Sequence, residues 1–231
     1  MDAVAVLDLK PSIFKQCFVF LTVCTARRRR TKLPEQTTGR QLQRVLHYSV
    51  APCRSLPGLR RTECVMHDVD LFGYSKYSHN TWKKRRKIRF IFKTYLRLMG
   101  ITHVLNTAEG CRYGQVDTGH SYYRDMPNTY FRYMGFPMMD QPTTDIARYF
   151  FVAAKFIENA ISSGGKILVH CLVGMSRSAT CVLAYLMICR KMSAVDAIRK
   201  VRMHRDIRPN DGFLQQLADL DNELRRKTLY P

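Results

Sequence analysis

Cys171 and Arg177 flank five residues in the run Val169-His170-Cys171-Leu172-Val173-Gly174-Met175-Ser176-Arg177-Ser178, which lies between an apolar stretch and a helical pattern. A thiol and a guanidinium at that spacing suit nucleophilic attack on a bound phosphate group. Ile167 to His170 reads as a buried strand and Ser178 to Arg190 as a helix, so the loop between them ends where a helix begins. The unpaired N–H groups of a helix N-terminus can converge on an anion, and Gly174 permits the tight turn this needs. A helix N-terminus and a neighbouring cation also favour thiolate over thiol, and the thiolate is the nucleophile. Arg177 adds a planar fork that takes two phosphate oxygens at once and meets the charge spreading over the equatorial oxygens of a trigonal-bipyramidal transition state. Ser178 is placed to offer a hydroxyl to the sulfur when it leaves, and His170 to orient the loop through hydrogen bonds. Leu172, Val173, Gly174, Met175 and Ser176 form the rest of the anion cradle.

A departing oxygen needs a proton, and the donor must reach the loop from elsewhere in the chain. Met138-Met139-Asp140-Gln141-Pro142 lies between an expected strand, Tyr130 to Pro137, and a helix beginning near Thr144, and it carries one acid. Asp140 is therefore the expected general acid, which would then act as base toward the water that completes the reaction. Asp145 competes, but it falls in the first helical turn, where a negative charge complements the helix dipole. Asp117 and Asp125 belong to a polar stretch, Tyr113 to Asn128, expected to be a solvated loop. Cys181 and Cys189 lie in the helical pattern after the loop and read as small core residues.

The motif His170-Cys171 to Arg177-Ser178 resembles the signature of the cysteine-dependent protein tyrosine phosphatase superfamily, and its Ser-Arg-Ser ending resembles the dual-specificity branch. The similarity continues through Gly100-Ile101-Thr102-His103-Val104-Leu105-Asn106-Thr107-Ala108-Glu109-Gly110, Ala184-Tyr185-Leu186-Met187 and Pro209-Asn210-Asp211-Gly212-Phe213-Leu214. Together these resemble the small atypical dual-specificity phosphatases over residues 98 to 228, and more weakly over 41 to 64. The resemblance implies a protein tyrosine phosphatase-like fold, a cysteinyl-phosphate intermediate, no cofactor, no metal, and Asp140 at the family's catalytic aspartate. It also implies that Arg205 helps form a second anion pocket, so a doubly phosphorylated phosphoprotein is an expected substrate. A purely local role for Arg205, answering the dipole of its helix C-terminus, is the alternative. Leu172, Val173 and Met175 are uncharged, which favours phosphoproteins over highly phosphorylated inositides.

The elements that must hold these residues are readable from periodicity. Ile101 to Thr107 and Phe131 to Phe136 read as further strands. Ile146, Tyr149, Phe150, Ala153, Ala154, Ile157 and Ile161 recur at helical spacing over 144 to 162, and Gly164-Gly165 ends that helix. Ser193 with Asp196 resembles a capping box opening a helix to His204, and Phe213, Leu217, Leu220 and Leu224 stripe the last helix. Strands alternating with helices predict an α/β fold, a central mixed sheet wrapped by helices. With 231 residues and 46% hydrophobic content the chain can bury one sizeable core.

Charge divides the chain unevenly. Residues 1 to 100 hold 21 Lys and Arg against 6 Asp and Glu, whereas residues 101 to 231 hold 17 against 12. The excess sits in Arg27-Arg28-Arg29-Arg30-Thr31-Lys32 and Lys83-Lys84-Arg85-Arg86-Lys87, expected to be solvated runs, with nuclear import as the functional alternative and no specific nucleic-acid binding. Residues 1 to 40 are expected to be a basic, disordered segment, and 41 to 97 a divergent N-terminal part of the domain. Between Cys64 and Tyr95 nothing matches the resemblance, and residues 65 to 94 are expected not to be native to a stable domain. Cys17 to Thr25 is apolar but too short to span a bilayer. Eight cysteines without CxxC pairs argue against a zinc site, and a reactive thiolate fits a reducing compartment, cytoplasm or nucleus. Two other classes compete with an active phosphatase. A catalytically silent phosphopeptide-binding module would keep the anion loop, and a sulfur-transfer or arsenate-type enzyme would not need Asp140.

Overall fold

The computed structural model describes residues 18–21, 36–49, 96–124 and 131–229. Its strands are β1 (Phe18–Leu21), β2 (Ile101–Asn106), β3 (Arg132–Gly135) and β4 (Lys166–His170), joined in one sheet of order β1-β4-β2-β3. β4 runs parallel to β2 and antiparallel to β1, and β2 runs parallel to β3, so the sheet is mixed as the alternation of strands and helices predicts. Ile167, Leu168 and Val169 are buried in succession, the pattern of a strand covered on both faces. The strand that delivers the nucleophile is thus among the best-fixed parts of the sheet.

The helices are α1 (Gly39–Tyr48), α2 (His120–Arg124), α3 (Phe150–Ser162), α4 (Arg177–Arg190), α5 (Ala194–Arg202) and α6 (Asp211–Leu229). α4 is buried on every side through residues 177 to 187 and packs against α3, α5 and α6. Cys181 is fully buried within it and Cys189 partly so. Ser193 opens α5 as expected, its hydroxyl accepting from the Asp196 amide at 3.1 Å. α1 lays Leu42 and Leu46 against the core, and the Thr37 hydroxyl ahead of it donates to Asp221 of α6 at 2.6 Å. Phe213, Leu217 and Leu220 of α6 are buried and Leu224 packs at the edge, the stripe that the sequence predicts.

Three expectations need correction. The helix expected from Thr144 begins at Phe150, after a 3-10 turn at Ala147–Tyr149. The Gln216 side-chain oxygen accepts from both the Ile146 and Ala147 amides at 2.9 Å, so a tertiary partner satisfies donors that would otherwise open the helix. The stretch from Tyr113 is not a solvated loop throughout. Val116 and Thr118 are buried under Asn106, whose amide donates to the Val116 carbonyl at 3.1 Å, and Tyr123 of α2 is buried and stacks on Tyr133. Finally, Phe18–Leu21 lies inside the segment expected to be disordered, yet it pairs with the whole of Ile167–His170. An aromatic and β-branched run has high strand propensity, and its pairing satisfies a β4 edge that would otherwise present open N–H and C=O groups. The segment 65 to 94, Asp125 and both basic runs lie outside the described residues. Among the described residues no helix is long and apolar enough to cross a membrane.

Candidate functional site

Cys171 follows the last residue of β4, and Arg177 is the first of α4, so the six residues from Cys171 to Ser176 form the turn between them. Gly174 adopts φ 80°, a conformation that L side chains rarely take. Cys171 is 1% exposed, and its Sγ lies 3.2 Å from the Gly174 amide and 3.4 Å from Ser178 Oγ. The sulfur sits at the floor of the loop within reach of two groups able to stabilise negative charge. The carbonyls of the turn are held from behind: Gly174 accepts from Arg205 Nε at 3.1 Å and Met175 from the Arg208 amide at 2.9 Å.

Ser176 is the N-cap residue of α4 but makes no side-chain cap. Its hydroxyl instead donates to Asp140 Oδ1 at 2.6 Å. The first amides of α4 therefore lack the side-chain oxygen that usually satisfies them, which leaves a helix N-terminus suited to an external anion. Asp140 itself is 36% exposed, on the loop after β3, and also accepts from Asn210 Nδ2 at 3.0 Å.

Arg177 is 3% exposed. Its Nη1 donates to the carbonyls of Gly114 at 2.7 Å and Met138 at 3.0 Å, which ties the loop after β2 and the Asp140 loop to the turn. Its Nε lies 3.5 Å from Asp140 Oδ2, an ion-pair contact, and has no hydrogen-bond partner among the described residues. A buried guanidinium N–H without a partner is rare unless a ligand completes it. The arrangement can hold a tetrahedral oxyanion over Cys171 with a carboxylate beside it.

A family model described as the catalytic domain of dual specificity phosphatases matches residues 87–223. The chain belongs to the dual specificity phosphatase family. Human dual specificity protein phosphatase 13B is 50% identical over 137 residues, which span 59% of this chain and 67% of that protein. Its mouse counterpart is 41% identical over 181 residues, 78% of this chain and 85% of that one. Human dual specificity protein phosphatase 26 is 49% identical over 136 residues, but the chain spans only 59% of its length. Among solved structures, a mouse dual specificity phosphatase complexed with zinc tungstate superposes with a TM-score of 0.50 at 27% identity, covering 60% of this chain and 80% of that one.

Within this dual specificity phosphatase domain the residues singled out in the sequence fall together. Cys171, Ser178, Gly174, Ser176, Arg177 and Asp140 are linked by the contacts above. Val173 is half exposed on the rim, with Leu172 and Met175 beside it partly buried. Asp145 is exposed and accepts from the Arg148 amide at 3.4 Å, and Asp117 is exposed as well. Arg205 lies three residues beyond the end of α5, and its Nε donates to the Gly174 carbonyl at 3.1 Å. Sequence reasoning missed the two carbonyls that receive Arg177 and assigned no role to Asn210. An Asn just ahead of a helix is a capping signal, which could have drawn attention to it.

His170 is fully buried, with Nδ1 3.3 Å from the Cys171 carbonyl, and burial pushes its pKa from 6.5 down to about 4. The unfolded chain takes up this proton as the pH falls below 6.5, whereas the folded imidazole stays neutral until about 4. Stability is therefore lost across that window as the pH falls. Between about pH 7 and about pH 4.5 the wild type should lose about 2 kcal/mol more than His170→Gln in urea unfolding. Parallel pH dependences for the two would show that His170 does not carry the effect.

Proposed function

We propose that this protein hydrolyses phosphotyrosine and phosphoserine or phosphothreonine on proteins through a cysteinyl-phosphate intermediate. The observation that carries the reading is the buried Nε of Arg177, which makes no hydrogen bond among the described residues, beside a turn in which the buried Cys171 Sγ faces the Gly174 amide. Substrate phosphate occupies the turn, with its oxygens on backbone amides and on the Arg177 fork. The Cys171 thiolate attacks phosphorus, the S–P bond forms as the ester P–O bond breaks, and the leaving oxygen takes the proton of Asp140. Asp140, now a carboxylate, removes a proton from water. The water oxygen bonds to phosphorus, the S–P bond breaks, and thiolate and inorganic phosphate are released. Ser178 Oγ, 3.4 Å from the sulfur, stabilises the thiolate as it leaves. The mouse relative was solved as a complex with zinc tungstate, and tungstate is a tetrahedral oxyanion, which supports a ligand of this shape.

The uncharged rim of Leu172, Val173 and Met175 favours phosphoproteins over inositides, and Arg205 beside Gly174 supports a second phosphate contact. The thiolate chemistry fits the reducing cytoplasm or nucleus. The test uses the purified chain without added metal on phosphotyrosyl and phosphothreonyl peptides, with phosphate release measured beside mass spectra of the acid-quenched Cys171 peptide. Release from both peptides with a phosphorylated Cys171 peptide is the expected result. Binding without release points to a silent phosphopeptide module, and release without the adduct removes the covalent route.

A further inference from the structure

The strand that delivers the nucleophile is held on its two sides by different parts of the chain. On one side β2 pairs with β4 in parallel, and the Thr107 amide and hydroxyl donate to the His170 carbonyl at 2.8 and 2.9 Å. Within a strand the N–H and C=O of one residue point to the same neighbour, and successive residues alternate between neighbours. His170 and Leu168 therefore face β2, whereas Val169 and Ile167 face β1. The register sets Val19 against Val169 and Leu21 against Ile167, so these are the hydrogen-bonded pairs, with Phe18–His170 and Phe20–Leu168 the pairs between them. Val169 and Ile167 are buried, so their N–H and C=O groups need partners inside the sheet. Val169 also stands two residues before Cys171. β1 comes from before α1 and lies outside residues 87–223, the part of the chain that matches the family's catalytic domain.

We propose that Phe18–Leu21 is a positioning strand for Cys171, so that turnover by this chain depends on a segment outside its family catalytic domain. This role rests on the phosphatase reading and deepens it. Thr107 fixes the His170 carbonyl from the β2 side, and a strand held along one edge can still pivot about that edge. The pairing of Val19 with Val169 closes the opposite edge one residue further back, and the two attachments together fix the direction in which β4 enters the turn. Cys171 Sγ must meet the Gly174 amide and the Ser178 hydroxyl, which belong to the turn and to α4 rather than to β4. Displacement of a catalytic group by about 1 Å can cost on the order of 100-fold in rate. A strand end still held by β2 should lose less.

Proline removes one N–H from a strand, and its position decides which neighbour loses a bond. Val19→Pro deletes a bond to Val169, and Leu21→Pro the equivalent bond to Ile167, four residues from Cys171. Phe20→Pro removes an N–H directed away from β4, which an edge strand tolerates. The full chain and these three variants would be assayed on an aryl phosphate, with urea unfolding and amide hydrogen exchange followed in parallel. In the wild type the Ile167 and Val169 amides should exchange as slowly as those of Leu168 and His170. Val19→Pro should lower kcat roughly tenfold with KM changed less than about twofold. Leu21→Pro should destabilise the fold by as much but lower kcat less than about threefold, and Phe20→Pro less than about twofold. Equal kcat losses for Val19→Pro and Leu21→Pro, an unchanged kcat in Val19→Pro, or as large a loss in Phe20→Pro would each overturn the positioning role. Should Val19→Pro not fold, Val19→Gly, which weakens the strand without removing the N–H, is held to the same order. Fast exchange of the wild-type Ile167 and Val169 amides would overturn the strand itself. A wild type inactive on the ester with those amides protected would instead overturn the phosphatase reading, and the positioning role with it, while leaving the pairing in place.

Discussion

Cys171→Ser should abolish turnover on every phosphate ester, by at least ~10⁴-fold in kcat, while leaving the phosphopeptide site intact. A hydroxyl in the same place is a far weaker nucleophile at neutral pH than a thiolate, and the carboxyl beside this turn, Asp140, is engaged by Ser176, Asn210 and Arg177 rather than by the nucleophile. Among the described residues the sulfur faces the Ser178 hydroxyl and the Gly174 amide, neither of which is a base able to activate a serine. The exchange is close to isosteric, and the Gly174 amide and Ser178 hydroxyl that face the sulfur can equally face an oxygen. Thermal stability should therefore shift by no more than about 1 kcal/mol. Steady-state rates, calorimetric binding of a phosphotyrosyl peptide and thermal unfolding of the variant and wild type check all three statements. Residual turnover within tenfold of wild type would sink the cysteine mechanism, whereas a wild type that binds as tightly as the variant but never turns over marks a silent module.

What could be read from the residues and what could not follows the distance over which each feature is encoded. The turn from Cys171 to Ser178 is local: strand, glycine at positive φ and helix start are contiguous, so residue type and spacing describe it completely. Asp140 was readable because it is the single acid of a short loop between two periodic segments. The restraints on these groups were not, because they run through backbone carbonyls. Arg177 reaches the Gly114 and Met138 carbonyls, 63 and 39 residues away, and a carbonyl leaves no mark in the choice of side chain. The same blindness explains the stretch after Tyr113. Its polar residues suggest solvent, but Asn106 reaches over from β2 to satisfy the Val116 carbonyl and so allows burial of a segment that looks exposed. The strand at Phe18–Leu21 fails for a different reason. Four apolar residues in a basic surrounding cannot announce a partner that lies about 150 residues later.

Arg177→Lys should lower kcat/KM by about 10³-fold or more and also weaken binding of a tetrahedral oxyanion such as tungstate, which Cys171→Ser should not do. The two charges are equal, so the argument rests on shape. The guanidinium divides its labour: Nη1 is held by two backbone carbonyls, while the buried Nε remains without a hydrogen bond at the side of the turn. A lysine ammonium projects its donors from a single atom and cannot hold the Gly114 and Met138 carbonyls while presenting a fork to phosphate. If it serves the carbonyls, the transition state loses its planar partner. If it turns to the phosphate, two buried or half-buried carbonyls lose a donor, at about 1 to 3 kcal/mol each. The loop after β2 and the Asp140 loop would then lose their common tether. The variant should accordingly be less stable in urea as well as slower, and tungstate calorimetry should show weaker binding even under conditions where it is fully folded. Unchanged oxyanion affinity in Arg177→Lys would mean that the buried guanidinium is a structural tie alone. That outcome would move the phosphate off the turn, because among the described residues the other buried arginine N–H without a hydrogen bond is Arg190 Nε, at the opposite end of α4.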